Sequence, residues 1–261
     1  MNFYRPKELP KLMVAPNGAR RTKSDHPAIP VTLEETVKTA KRCYAAGAEA
    51  IHFHLRDNAQ KHILDSGLYK EGLVELYHQV PEMHLQITTE AVGRYSPEEM
   101  TKIAYDVMPP GISIGVAEMI PSRQPSANNI RLYQSLYEAG CRVQHLCYQP
   151  EDVDLLARLV TEAGLKDEKI WGMFVIGHYT GRVSHPDMIQ PFIDRVVAHG
   201  LALDWAVCAF AEQEHRCLET AVSLGGKVRV GFENSIFMPD GTIAPDNETR
   251  IAIAHKLFKQ V

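Results

Sequence analysis

Along the chain, short apolar runs that end in small or polar residues alternate with longer stretches whose apolar residues recur at helical spacing. The short runs read as strands buried on both faces and the longer ones as amphipathic helices, so the alternation predicts successive β-α units. Eight strands are predicted: KLMVAP from Lys11, AIHFHL from Ala50, HLQITT from His84, GISIGV from Gly111, CRVQHLCY from Cys141, IWGMFVIG from Ile170, LALDWAVCAF from Leu201 and KVRVGFEN from Lys227. Their starts lie about 31 residues apart, which fits a strand, a helix and two short loops. Thr32 with Glu35 is a capping box that opens the helix TLEETVKTAKRCYAA, and Gly47 closes it. Ser96-Pro97-Glu98-Glu99 opens another, with Pro at the first helical position. Further helices are predicted at 66–79, 128–139, 151–163, 187–199, 212–224 and 247–259.

A chain of 261 residues fits either one α/β barrel or two smaller domains. The eight units decide for one: an α/β fold, a (β/α)8 TIM barrel spanning 1–261 as a single domain. A doubly wound sheet is disfavoured because no G-x-G-x-x-G follows the first strand. Reacting groups are then expected at the C-terminal ends of strands and in the loops after them.

Composition narrows the classes. With 45% hydrophobic and 23% charged residues the chain has globular proportions. A net charge of −4 and a pI near 6.3, with scattered Lys and Arg, exclude the basic footprint that holds nucleic acid. The first eighteen residues lack a signal-peptide core and no apolar run reaches the length of a membrane span, so a cytoplasmic protein is expected. Five cysteines, odd in number and never spaced C-x-x-C, read as reduced core residues.

His52 and His54 lie two apart in the second strand and so share a face. Alone, this pair reads more readily as packed or hydrogen-bonded histidines than as ligands. In the last strand Arg229, Gly231 and Glu233 share a face by the same period, with Glu233 at the strand end. Closing the barrel makes strands two and eight flank strand one, so His52, His54 and Glu233 can converge as a two-His, one-carboxylate metal site. Arg229 points into the barrel and needs an anion: a structural carboxylate such as Glu90 or Glu118, or a substrate carboxylate. The loop from Pro16 to Lys23 adds charge at the same mouth; Arg21 and Lys23 read as solvated turn residues, Arg20 less so. Thr88 and Ser113, near the ends of strands three and four, offer hydroxyls to substrate or to the following turn. His145, Cys147 and His178 also lie near strand ends but stay outside the metal set.

With these residues in view, the chain resembles the β-keto acid cleavage enzymes, the family typified by 3-keto-5-aminohexanoate cleavage enzyme. The resemblance runs through Asn17–Thr32 (NGAR, then T-K-x-D-H-P), Ala46–Asp57 (AGAEAIHFHLRD) and Gly225–Asn234 (GGKVRVGFEN). It implies a zinc-carrying barrel and a homotetramer. It also implies condensation of a β-keto acid with acetyl-CoA to give acetoacetate and a new acyl-CoA. Carried over by motif, His52, His54 and Glu233 match the zinc ligands, Thr88 and Ser113 the hydroxyls that contact substrate, and Arg229 the arginine beside the reacting centre.

The chain departs from the family at telling places. The family pattern G-x-E-D-N reads Gly231-Phe232-Glu233-Asn234 here, and an amide cannot serve as a base. Strand five shows Gln144, His145, Leu146 and Cys147 in place of the family's acids, and Thr88-Thr89-Glu90-Ala91 replaces paired glycines. Arg20 stands where the typifying enzyme has Glu, so a 5-amino substrate is not expected. Glu90, Glu118 or His145 is then expected to supply the base. The catalytic set predicted is Arg229, Asn234 and Glu90, with Arg20, Thr88 and Ser113 binding a small anionic substrate. Arg94, Arg123 and Arg182 are loop arginines available to the phosphates of CoA. Two alternatives stay open at this point: a metal-dependent carbon–carbon lyase that does not use CoA, and a non-catalytic ligand-binding barrel.

Overall fold

The computed structural model describes residues 1–165, 169–178 and 181–259. Eight parallel strands close a barrel: β1 (Leu12–Val14), β2 (Ala50–Phe53), β5 (His84–Thr88), β6 (Gly111–Gly115), β7 (Arg142–Cys147), β8 (Ile170–Ile176), β9 (Leu203–Ala209) and β10 (Lys227–Val230). Around the barrel each strand pairs with the next, and β1 joins β10 to β2 through Val14↔Val230 and Val14↔Ile51. Each of the eight predicted strands contains one of these. The extra pair is a small antiparallel hairpin, β3 (Leu55–Arg56) and β4 (His62–Ile63), which starts at the last residue of AIHFHL and was not predicted.

The helices form the outer layer. The box at Thr32 opens α1 (Leu33–Ala45), with Glu35 N–H donating to Thr32 Oγ1 at 3.2 Å and Thr32 N–H to Glu35 Oε2 at 3.2 Å. Such caps contribute about 1 kcal/mol each. Ser96 caps α3 (Pro97–Val107) in the same way. Helices α2 (Ser66–Gln79), α5 (Ala127–Glu138), α6 (Glu151–Glu162) and α9 (Asn247–Leu257) fall within two residues of expectation. A short turn of helix, α4 (Val116–Met119), follows β6 directly and was not predicted. Two helices start later than expected: α7 (Gln190–His199) and α8 (Glu214–Ser223) are each preceded by a 3-10 turn, Pro186–Met188 and Ala211–Gln213. At α7 the cause is Pro191, whose missing N–H is tolerated only in a first turn.

Alternation along the strands makes two cores. Outward residues such as Phe53, Ile87, Ile112, Phe174 and Val207 pack against the helices. Inward residues of β7, β8 and β9 (Leu146, Trp171, Met173, Val175, Ala206, Cys208) form a separate cluster inside the barrel with Leu9 and Phe210. Leu9 is held by its N–H donating to Asp204 Oδ2 at 2.8 Å. All five cysteines are buried and free, as the sequence implied. Among the described residues no helix is long and apolar enough to cross a membrane.

Candidate metal centre and active site

Three loops at the C-terminal end of the barrel carry the site, and buried polar groups fix each one. After β1, Asn17 clamps the main chain at His54: its Nδ2 donates to His54 O at 2.9 Å and its Oδ1 accepts from His54 N at 3.2 Å. Gly18 (φ +61°) lies against Glu233, where a Cβ would collide with that side chain. Arg56, on the unpredicted hairpin, donates to the carbonyls of Asn17, Ala19 and Arg21 at 2.9–3.2 Å, and also to Gly18 O. After β10, Asn247 accepts from Phe232 N at 2.9 Å and donates to Pro16 O, while Arg250 donates to Gly231 O at 2.9 Å and to Ser235 O. Arg250 is itself paired with buried Glu214. Arg21 also belongs to this scaffold: its Nη1 donates to Phe232 O at 2.6 Å and Glu233 O at 3.1 Å. That corrects its reading as a solvated turn residue. Lys23 does lie at the surface, paired with Glu35 at 2.7 Å.

These loops bring His52, His54 and Glu233 together, all buried, with one ligand atom from each within 4.8 Å of the others. His52 Nε2 lies 3.0 Å from His54 Nε2; Glu233 Oε2 lies 3.5 Å from the first and 3.3 Å from the second. Donor atoms around a tetrahedral zinc ion are about 3.3 Å apart, given bonds of about 2.0–2.1 Å. Burial holds both imidazoles well below the ordinary histidine range, so they are neutral, the form that ligates metal. Glu233 Oε2 is buried with no hydrogen-bond partner among the described residues, an orphan acceptor facing two lone pairs. A cation answers all three observations.

Arg229 has an anionic partner that the sequence reading did not name for it. Its Nη2 donates to Glu233 Oε1 at 2.8 Å and approaches Cys208 Sγ at 3.4 Å, so its partner is the third member of the metal set. Glu233 thus turns one oxygen to Arg229 and the other to the histidines.

The cluster opens into a narrow cavity whose wall includes His52, Thr88, Glu90, Ser113, Glu118, Arg229 and Glu233 on one side and Leu146, Val175 and Phe210 on the other. Glu90, 3.8 Å from His54 Nε2, has its carboxyl pushed up to about 8 by burial and then by the charges of Glu233 and Glu118. Burial also raises Glu118. Thr88 Oγ1 accepts from Glu90 N at 3.0 Å and lies 3.5 Å from Ser113 Oγ, so this hydroxyl caps the turn while facing the cavity. Asn234 is fully buried, with neither amide atom hydrogen-bonded among the described residues, and it is not part of the cavity wall.

Other expected residues lie elsewhere. His145 faces the helices, stacked on Tyr133 at 5.4 Å with Nδ1 2.9 Å from Trp171 O, so it is outside the cavity and cannot be its base. Arg123 pairs with Asp152 at 2.9 Å, and Arg94 donates to His62 O at 2.8 Å. Arg20 is exposed and lines a second, wider cleft of about 650 Å3 with Arg21, His178 and Arg182. Phe210 borders both hollows, and Arg182 donates to the carbonyl of Tyr148, which lines the first. The sequence reading missed Gln86, whose Oε1 lies 2.8 Å from His52 Nδ1, and His62, whose ring centroid is 4.9 Å from that of His54. Gln86 shares the inward period of Thr88, a signal already present in HLQIT.

The chain is similar to known proteins along most of its length. The chain is 24% identical over 250 residues to the 3-keto-5-aminohexanoate cleavage enzyme of Fusobacterium nucleatum, covering 94% of this chain and 89% of the relative. It is 20% identical to the 3-oxoadipate:acetyl-CoA acetyltransferase of Cupriavidus necator, covering 92% and 85%. Among solved structures it resembles ObcA in a ternary complex with a C4-CoA adduct and oxalate, with a TM-score of 0.74 at 14% identity over 90% of this chain and 64% of that one. The chain therefore spans a little under two thirds of that structure's length, and the likeness is one of fold. The pattern of the β-keto acid cleavage enzymes matches residues 11–261, and with the barrel, the ligand cluster and the relatives in agreement, this chain is an enzyme of the β-keto acid cleavage family.

Proposed function

We propose that the protein is a zinc-dependent β-keto acid cleavage enzyme that takes a small anionic β-keto acid and acetyl-CoA and gives acetoacetate and a new acyl-CoA. The observation that carries this reading is the buried His52, His54 and Glu233 cluster opening into a small cavity shared with Glu90 and Arg229. A zinc ion held by the three ligands would supply Lewis-acid polarisation of the substrate ketone, which acidifies the C2–H bond.

Glu90 is the base: it lines the cavity and its raised pKa makes its carboxylate a competent proton acceptor near neutrality. Arg229, also in the wall, places positive charge where the carbanion develops. Thr88 and Ser113 offer hydroxyls to the substrate oxygens. Asn234 carries no carboxyl proton and takes no part in proton transfer. The deprotonated C2 attacks the acetyl carbonyl and expels the thiolate. That thiolate then attacks the original ketone carbon, the C2–C3 bond breaks, and the proton on Glu90 returns to C2. Leu146, Val175 and Phe210 keep the reacting atoms away from bulk water.

The narrow cavity favours a small acid over a bulky one. The carrier part of the thioester would lie in the adjoining cleft, where Arg20, Arg21 and Arg182 meet its phosphates. Arg20 also tempers the charge of Glu90 and Glu118, which accords with a substrate lacking an amino group. The reading includes a cytoplasmic homotetramer, as family resemblance implies.

The test is elemental analysis of protein purified without added metal, followed by a screen of β-keto acids with acetyl-CoA for acetoacetate. About one zinc per chain and turnover of a small anionic acid are expected. A metal-free protein that turns over none of them would overturn the reading, and cleavage that proceeds without acetyl-CoA would replace it with a simple lyase.

A further inference from the structure

Beneath the metal cluster, two fully buried amides run across the inside of the barrel. Gln86 on β5 is the register partner of His52 on β2, and its Oε1 lies 2.8 Å from His52 Nδ1. Its Nε2 donates to Gln144 Oε1 on β7 at 3.1 Å. The intervening strand carries Gly111 opposite Gln86, where a Cβ would collide with the ring of His84.

We propose that Gln86, supported by Gln144, is a positioning residue that fixes the tautomer of His52. A neutral imidazole carries one proton on two nitrogens, and the neighbour of one nitrogen decides what the other can do. A carbonyl facing Nδ1 holds the proton there and leaves Nε2 with a bare lone pair. That lone pair lies among His54 Nε2 and Glu233 Oε2, the atoms of the metal set. With the amide of Gln86 reversed, its NH2 would face Nδ1, the proton would move to Nε2, and His52 could not ligate. Gln144 Oε1 prevents that by engaging the NH2.

His54 is held differently. Asn17 clamps its main chain, and its Nδ1 has no hydrogen-bond partner among the described residues. Its ring direction is set by backbone and packing, so the amide pair acts on one ligand alone. Keeping it has a cost, because Gln144 Nε2 is buried without a hydrogen-bond partner among the described residues. A pair kept for stability alone would be better replaced by apolar side chains.

The inference rests on the reading of His52 as a metal ligand, and its first readout needs neither metal nor turnover. In metal-free protein, 15N NMR should show His52 as the Nδ1–H tautomer; an Nε2–H tautomer overturns the proposal. Gln86→Leu should weaken zinc binding, measured by chelator competition, about 10–100-fold. Gln86→Glu keeps an acceptor at Nδ1 and should bind within about threefold of wild type or tighter. Gln144→Leu should give a smaller loss than Gln86→Leu and covers the case in which the latter fails to fold. Unchanged zinc affinity in a folded Gln86→Leu, or an equal loss in Gln86→Glu, overturns the assignment. A wild type that binds no zinc while showing the Nδ1–H tautomer would instead sink the proposed function.

Discussion

The inside of the barrel has two unlike halves. On β2, β5, β6 and β10 the inward side chains include His52, Gln86, Thr88, Ser113 and Arg229; on β8 and β9 they include Trp171, Met173, Val175, Ala206 and Cys208. Both halves are buried to the same degree, yet the first is held by directed hydrogen bonds and the second by packing. The difference teaches how each contributes to the site. The polar half places donors and acceptors at fixed distances, and the apolar half excludes water so that their charges act at full strength. That exclusion is why His52, His54 and Glu90 all depart from their ordinary protonation ranges.

The sharpest way to break the contrast is His52→Ala, which strikes the polar half. It should abolish tight metal binding and lower kcat/KM by roughly three decades, the worth of several kcal/mol of Lewis-acid stabilisation. Thermal stability of the metal-free protein should stay close to wild type, as calorimetry would show. Met173→Ala strikes the apolar half: the side chain is fully buried, so a loss of about 3 kcal/mol is expected in urea unfolding. Metal content should be unchanged. A Met173→Ala protein that lost metal with little loss of stability would remove the division of labour.

Acid provides a third, smaller effect. Burial lowers His84, at the inner end of β5, and His145, outside β7, from 6.5 to about 4. Both are neutral when folded and take up protons near 6.5 when unfolded. Their contribution is therefore complete above pH 6.5 and is lost as pH falls toward 4. Between pH 7.5 and 5.5 each should cost about 1 kcal/mol in urea unfolding, and His145→Phe should remove one share of the decline. An unchanged pH slope in that variant would refute the assignment. The smallest effect expected is that of Ser113→Ala, about tenfold in KM with kcat little changed, since one cavity hydroxyl is lost while the metal set is intact.

Much of this was legible in the chain. The eight strand runs and the capping boxes at Thr32 and Ser96 are local patterns, and the structure contains each of them. His52, His54 and Glu233 could be joined on paper because barrel closure makes strands two and eight neighbours of strand one. The partner of Arg229 was missed because Glu233 had already been assigned to the metal, and a carboxylate has two oxygens to share. Arg20 and Arg21 are adjacent in sequence and both line the second cleft, but Arg20 is exposed there while Arg21 also grips the carbonyls around Glu233. No period distinguishes them, because loop direction follows contacts with Arg56 and Asn247 from distant segments.

The sequence by itself determined the barrel, the order of its strands and which residues could ligate a metal, since each of these follows from local periodicity plus the single constraint of closure. Only the tertiary structure decided which base shares the cavity, which arginine holds a loop, and which amide faces His52. Those outcomes depend on side-chain direction and on desolvation by residues far away in the chain, and neither quantity has a period that can be read along it.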